Sequence, residues 1–220
     1  MEIDILTLFP NMFDGFLSES IIKRAIEQDF VKINVIDIRK FTPYKNGQVD
    51  DYAFGGGSGM ILMCEPVFNA VESVRREDSY IIITTPRGKT YNESVALDLK
   101  NKKHIIIICG HYEGFDERIY SLADAEVSIG DYVLTGGELP AMVIVDSTVR
   151  LIKGVLNEES LISESFNDNL LDYPVYTKPR EYKGMQVPEI LLSGDHKKID
   201  AYRNEERIRI TKERRKDLIK

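Results

Sequence analysis

Tyr80-Ile81-Ile82-Ile83-Thr84-Thr85 and, further along, His104-Ile105-Ile106-Ile107-Ile108-Cys109 decide the fold class. Each has an unbroken, largely β-branched apolar centre, the pattern of a strand covered on both faces. Such strands sit in the middle of parallel sheets, because the crossovers that join parallel strands lie over both faces. Asn92 to Lys100 between them reads as one such crossover helix. Outward toward the N-terminus, Ile3 to Phe9, Ser18 to Gln28 and Lys32 to Ile38 repeat the strand, helix, strand order. Toward the C-terminus, Glu138 to Ile152 reads as a long helix with Pro140 in its first turn, where a missing N–H is harmless. The expectation is an α/β fold, a mostly parallel sheet flanked by helices.

From Leu156 to about Tyr176 the periodicity fades into Glu, Ser, Asn and Asp, as in an extended linker. Pro179, Pro188 and Gly194 then punctuate short segments before a charged helix from Lys197 to Lys216. This predicts a first domain over 1–156, a linker over 157–176 and a small, mainly helical unit over 177–220. The chain has a net charge of −7, yet Gly194 to Lys220 carries ten Lys or Arg against six Asp or Glu. A basic appendage on an acidic body points to a polyanionic partner, and the same pattern fits a solvated charged helix.

Length and composition bound the remaining possibilities. At 220 residues, 43% apolar and 30% charged, the chain can bury a substantial core. Met1-Glu2-Ile3-Asp4-Ile5-Leu6 is acidic and lacks the basic flank of a secretion signal. The apolar runs Ile105 to Cys109 and Ala141 to Val145 fall well short of the about 20 residues a bilayer requires. A cytoplasmic protein with no membrane partner is expected. Cys64 and Cys109 read as buried thiols, with a disulfide as the alternative, and His104, His111 and His196 form no metal triad.

Two clusters carry candidate chemistry. The strand ending at Cys109 runs into Gly110-His111-Tyr112-Glu113-Gly114-Phe115-Asp116-Glu117-Arg118, which puts glycines and acids at the carboxyl end of a central strand, where open α/β sheets bind ligands. Ser128-Ile129-Gly130-Asp131-Tyr132-Val133-Leu134-Thr135-Gly136-Gly137-Glu138-Leu139-Pro140 mixes apolar walls, permissive glycines and a helix start, and could take a flat ring such as adenine. The first cluster also fits a tight turn, and the second a hairpin with a helix cap. Gly55 to Gly59 is glycine-rich, but no Gly-Lys-Ser/Thr ending follows, which argues against an ATP cradle.

Together with Phe54-Gly55-Gly56-Gly57-Ser58-Gly59-Met60, Tyr176-Thr177-Lys178-Pro179 and Leu191-Leu192-Ser193-Gly194, these clusters resemble the bacterial tRNA (guanine-N1-)-methyltransferase family across nearly the whole chain. The resemblance implies a SPOUT-type fold with a knotted catalytic domain, a homodimer with active sites at the subunit interface, S-adenosyl-L-methionine as methyl donor, magnesium as an assisting ion and tRNA as substrate. The target it implies is the guanosine at position 37, adjacent to the anticodon, whose methylation helps hold the reading frame. The donor pocket would comprise Thr84, Thr85, Pro86, Gly110, Tyr112, Glu113, Gly114, Ile129, Gly130, Asp131, Tyr132, Val133, Leu134, Gly136 and Gly137.

Guanine N1 carries a proton at neutral pH, so methylation there requires a base and a cation that stabilises charge developing on O6. By resemblance the cation is Arg150, with Glu113 as an orienting carboxylate. The family's base is an aspartate before a Ser-Phe pair, whereas here Ser165-Phe166 follows Glu164, with Asp168 and Asp172 close by. RNA contacts would come from Lys178, Arg180, Lys197, Lys198, Arg203, Arg207, Arg209, Arg214 and Arg215. Two other readings share these motifs: a SPOUT enzyme acting elsewhere on RNA, and a non-catalytic RNA-binding protein that responds to S-adenosylmethionine.

Overall fold

In the computed structural model, which describes residues 1–157, 164–166 and 168–219, the two apolar runs lie side by side in the sheet. The first unit, Met1–Leu156, contains β1 (Glu2–Thr7), the single turn α1 (Asp14–Leu17), α2 (Ser20–Glu27), β2 (Lys32–Asp37), β3 (Asp50–Tyr52), β4 (Met60–Leu62) and α3 (Cys64–Val74). It continues with β5 (Ser79–Thr90), α4 (Glu93–Leu99), β6 (His104–Cys109), β7 (Ala125–Ser128) and α5 (Glu138–Val149). Five strands pair in the order β2-β1-β6-β5-β7, each pair parallel, and β3 with β4 forms a small antiparallel ladder.

Alternation along the strands divides the core between the two faces of the sheet. Ile3, Ile5, Ile82, Ile105 and Ile107 pack under Ile22 and Ala25 of α2 and Ala141, Ile144, Val145 and Val149 of α5. Leu6, Ile81, Ile83, Ile106 and Ile108 face the other way, onto Val67, Ala70 and Val71 of α3. Ile82, Ile83 and Ile106 to Ile108 are all fully buried, each contributing about 1.5–3 kcal/mol of transfer free energy. Every residue of β6 is buried, as the continuous run predicts.

At the amino end of the sheet a buried polar chain replaces apolar packing. His104 Nε2 lies 2.8 Å from Asp4 Oδ2, and His104 Nδ1 lies 2.7 Å from Ser79 Oγ. The other Asp4 oxygen accepts from Asn34 Nδ2 at 2.6 Å. His104 has no exposed surface, so both of its ring nitrogens need these partners.

Several elements depart from the sequence reading. β5 continues past Thr85 to Thr90 and pairs with β7 on both sides of a register break between Thr84 and Lys89. Gly88 permits this, since a Cβ there would meet the Glu126 carbonyl carbon at 2.5 Å. α5 ends at Val149, with Arg150 as its C-cap, rather than reaching Ile152. Both cysteines are free thiols: Cys109 is buried, but Cys64 is only partly so. Burial and the neighbouring Asp116 push the Cys64 thiol up to about 11, and burial raises Cys109 well above the ordinary thiol range.

The second unit, Asn157–Lys220, holds a two-stranded hairpin, β8 (Glu181–Tyr182) with β9 (Met185–Gln186), and the helix α6 (His196–Arg214). Asp195 caps α6 by accepting from Lys198 N–H. Among the described residues no helix is long and apolar enough to cross a membrane.

Candidate active site

β6 and β7 aim their carboxyl ends, and β5 its bend after Thr84, at one cleft of about 200 Å³. Its walls are three loops: Thr84 to Pro86 at the bend of β5, Gly110 to Phe115 after β6, and Ser128 to Gly137 between β7 and α5. Parallel strands that end together leave such a crevice because their connections turn away to opposite faces.

The loops are locked by backbone contacts that exclude side chains. Gly137 N–H donates to Gly110 O at 2.7 Å, and His111 bridges Gly136 in antiparallel fashion. Thr84 Oγ1 donates to Ile108 O at 3.2 Å and reaches Gly137 O at 3.4 Å. A Cβ on Gly137 would collide with Thr84 Oγ1 and approach Gly110 N at 2.7 Å, so glycine is required by close approach. The glycine-rich segment braces the site from outside, since Glu113 N–H donates to Met60 O at 3.1 Å and the Glu113 side chain occupies the space a Cβ on Gly59 would fill.

Of the residues expected to hold the methyl donor, Thr84, Thr85, Pro86, Gly110, Tyr112, Glu113, Gly114, Ile129, Gly130, Tyr132, Val133, Leu134, Gly136 and Gly137 line the cleft. Asp131 is exposed beside it and is not a lining residue. Val133 and Leu134 make no backbone hydrogen bond among the described residues, leaving donors available beside the apolar Ile129 and Pro140. Apolar walls with available amides suit a nucleoside edge.

His111, Phe115, Tyr120, Val127, Ser128, Thr135 and Pro140 also line the cleft, although the sequence reading assigned them no role. Phe115 and His111 lie inside the quoted glycine cluster. Tyr120 carried no sequence signal: it is held by Arg87, whose guanidinium lies 3.4 Å from the ring centre and pairs with Glu126 and Glu117. Glu138, at the first position of α5, is 1% exposed and accepts from Thr7 Oγ1 at 2.7 Å. Its other oxygen lies 4.0 Å from His111 Nδ1, a buried atom without a hydrogen-bond partner among the described residues. The helix N-terminus favours this buried carboxylate.

Of the expected catalytic groups Glu113 lines the cleft, and Arg150, Glu164 and Asp172 are not among the lining residues. Arg150 caps the carboxyl end of α5 and is partly buried. Glu164 and Asp172 belong to the second unit, where Asp172 Oδ1 accepts from Tyr173 N–H at 2.7 Å. Asp168 receives the Arg207 guanidinium, which holds its carboxyl below the usual range. Of the cations expected to meet RNA, Lys178, Arg180, Lys197 and Arg214 are exposed, Lys198 pairs with Asp195, and Arg203 lies over Tyr173 near Asp200. Arg209 pairs with Glu206 and Glu213, and Arg215 with Asp217. Among the described residues no group of three or more His, Cys, Asp or Glu is placed to hold a metal ion.

Comparison with known proteins covers the same span as these motifs. The family described as tRNA (Guanine-1)-methyltransferase TrmD matches residues 1–220. A tRNA (guanine-N(1)-)-methyltransferase of Clostridioides difficile is 53% identical, aligned over all of this chain and 98% of its own length. Proteins of the same name from Endomicrobium trichonymphae and Staphylococcus carnosus are 50% and 53% identical, over all of this chain and 100% and 91% of theirs. With three loops meeting at one end of a parallel sheet and a match from the first residue to the last, the chain belongs to the tRNA (guanine-1)-methyltransferase family, whose fold is of the SPOUT type.

Proposed function

We propose that this protein transfers a methyl group from S-adenosyl-L-methionine to N1 of the guanosine at position 37 of tRNA, next to the anticodon, and so supports reading-frame maintenance in the cytoplasm. The observation that carries the proposal is the three-loop cleft, whose lining includes nearly every residue expected to hold the methyl donor. The donor supplies, when bound, an electrophilic methyl on a positively charged sulfur. Apolar walls at Pro86, Ile129, Leu134 and Pro140 shed water from it, and the amides of Val133 and Leu134, which have no backbone partner among the described residues, hold its nucleobase.

The chain's own side chains carry the rest. Glu164 accepts the N1 proton, Arg150 stabilises the charge that develops on O6, and Glu113 at the cleft orients the reacting groups. Asp172 is the second candidate for the base, and Asp168, paired with Arg207, is poorly suited to accept a proton. Lys178, Arg180, Lys197 and Lys198 meet tRNA phosphates, while the target base leaves its stack in the anticodon loop. Magnesium, which the family resemblance brings in as an assisting ion, finds no cluster of three or more His, Cys, Asp or Glu among the described residues.

A homodimer is part of the proposal. Tyr132, Val133, Leu139 and Val143 are exposed apolar side chains beside the cleft and on one side of α5. A second copy covering this face would close the site from outside.

The test is transfer of labelled methyl to two tRNA transcripts that differ only in guanosine or adenosine after the anticodon, with wild type and Glu164→Gln. Label on the guanosine transcript alone, lost with the substitution, supports both the target and the base. Activity that survives Glu164→Gln moves the base to Asp172. Cofactor binding with no transfer to either transcript favours the non-catalytic RNA-binding reading.

A further inference from the structure

Arg207 and Thr211 stand one turn apart on α6, Arg215 follows as its C-cap, and all three contact the segment that follows Glu164. This segment closes on itself: Phe166 N–H donates to Leu170 O at 2.8 Å and Asp172 N–H to Ser165 Oγ at 2.9 Å. Phe166 and Asn169 both have left-handed backbone, at φ 76° and 61°, a conformation a phenylalanine keeps only when its surroundings enforce it.

The enforcement comes from α6. Arg207 forks onto both Asp168 oxygens at 3.0 and 2.5 Å, and its Nε donates to Leu171 O at 3.3 Å. Thr211, fully buried, accepts from Leu171 N–H at 2.9 Å and donates to the Arg207 carbonyl at 2.6 Å. The Arg215 guanidinium lies 5.7 Å from the centre of the Phe166 ring.

We propose that this stripe is a positioning device for the reaction, and that Arg207 acts by placing the proton acceptor rather than by touching tRNA. The proposal rests on the reading of Glu164 as the base. A glutamate carboxylate hangs on three rotatable bonds, so its location depends on the backbone that carries it, and the loop that follows that backbone is held at Asp168 and Leu171 by a bidentate, directional contact. Arg207 is poorly suited to a phosphate role: its side chain is only 14% exposed and three of its five N–H donors are engaged.

The experiment compares wild type with Arg207→Gln, Asp168→Asn, the double variant and Arg207→Lys in the full-length protein. It reads steady-state methyl transfer to a guanosine-bearing tRNA transcript and the rate of chymotryptic cleavage after Phe166 and Leu170, identified by fragment mass. Asp168 is exposed, so Asp168→Asn tests the pair without disturbing a core. Misplacing a reacting group by about 1 Å costs up to about 10²-fold, so each single variant is expected to lower kcat by about tenfold. The tRNA KM should stay within about twofold, cleavage should quicken, the double variant should be no worse than the poorer single, and lysine should restore part of the rate. A raised tRNA KM with kcat unchanged in Arg207→Gln alone overturns the proposal in favour of a phosphate contact. Unchanged cleavage in both single variants overturns the docking itself. If wild type transfers no methyl to tRNA, the activity reading fails, while the cleavage comparison still decides whether the stripe holds the segment.

Discussion

The cleft and the α6 face organise functional residues by different physics. At the cleft, positions are set by close approach at glycines: Gly137 lies against the Gly110 and Cys109 main chain, and Gly110 and Gly136 leave room for the side chains of Phe115, His111 and Glu138, over a core with fully buried isoleucines. On α6, positions are set by ion pairs and hydrogen bonds between side chains, most of them exposed. Contacts of the first kind tolerate almost no change, whereas the second kind can be exchanged at modest cost and depend on pH and salt. The difference suits the proposed roles, a rigid seat for a small molecule and an adjustable mount for a segment that meets a polymer.

The sharpest way to break this contrast is Gly137→Val. Its side chain would enter the space of Thr84 Oγ1 and the Gly110 amide, so binding of S-adenosylhomocysteine measured by calorimetry should fall by more than about 10²-fold, with a loss of about 1–3 kcal/mol in urea unfolding. Retained binding would show that the loops are far softer than their packing implies. Next comes Thr7→Val, which removes the hydrogen bond to buried Glu138 and should cost about 1–3 kcal/mol in chemical denaturation. No measurable loss would mean that the bond between Thr7 and Glu138 adds nothing to the fold.

A pH series sharpens the comparison within the first unit. Arg76 and Lys32 pull the Glu2 carboxyl down from its usual value to about 2. A depressed carboxylate stabilises the fold above its unfolded value near 4.5, and this contribution is lost as the pH falls toward 2. Glu2→Gln should therefore flatten the acid limb of stability between about pH 4.5 and 2, because it removes the contribution that is present at neutral pH while the two proteins converge near pH 2. An identical acid limb in both proteins would assign acid sensitivity to other groups. The smallest effect is expected for Arg209→Ala, whose exposed pairs with Glu206 and Glu213 are screened by solvent and should leave stability nearly unchanged, the more so at high salt. A larger loss would place α6 in the class of the cleft.

What was legible in the sequence follows the same division. β5 and β6 announce themselves because strands buried on both faces need unbroken apolar runs, and the glycine clusters mark loops whose backbones meet. β7 was not visible: Ala125-Glu126-Val127-Ser128 is a short edge strand with mixed polarity, held by pairing with β5. The extension of β5 through Pro86-Arg87-Gly88 was equally hidden, because proline and glycine read as a stop and only the later return of β7 makes Gly88 a contact. Tyr120 owes its place to Arg87, more than thirty residues away in sequence, and no local pattern encodes such a pairing. The burial of Glu138 escaped notice for the related reason that its partner Thr7 is on the first strand. Conversely, Arg207 looks in sequence like any other cation of a basic helix, and its bond to Asp168 is a property of the folded chain.

At the end of the sheet opposite the cleft, His104 has both ring nitrogens engaged and no contact with solvent. It stands at the first residue of the strand that ends at the cleft, one strand length or about 20 Å away. Its imidazole resonances should therefore act as a built-in integrity gauge, disappearing from their folded positions when the sheet opens yet staying fixed while ligands come and go. Paired with Tyr132 at the rim of the cleft, it lets a single spectrum separate a variant that has lost its ligand from one that has lost its frame.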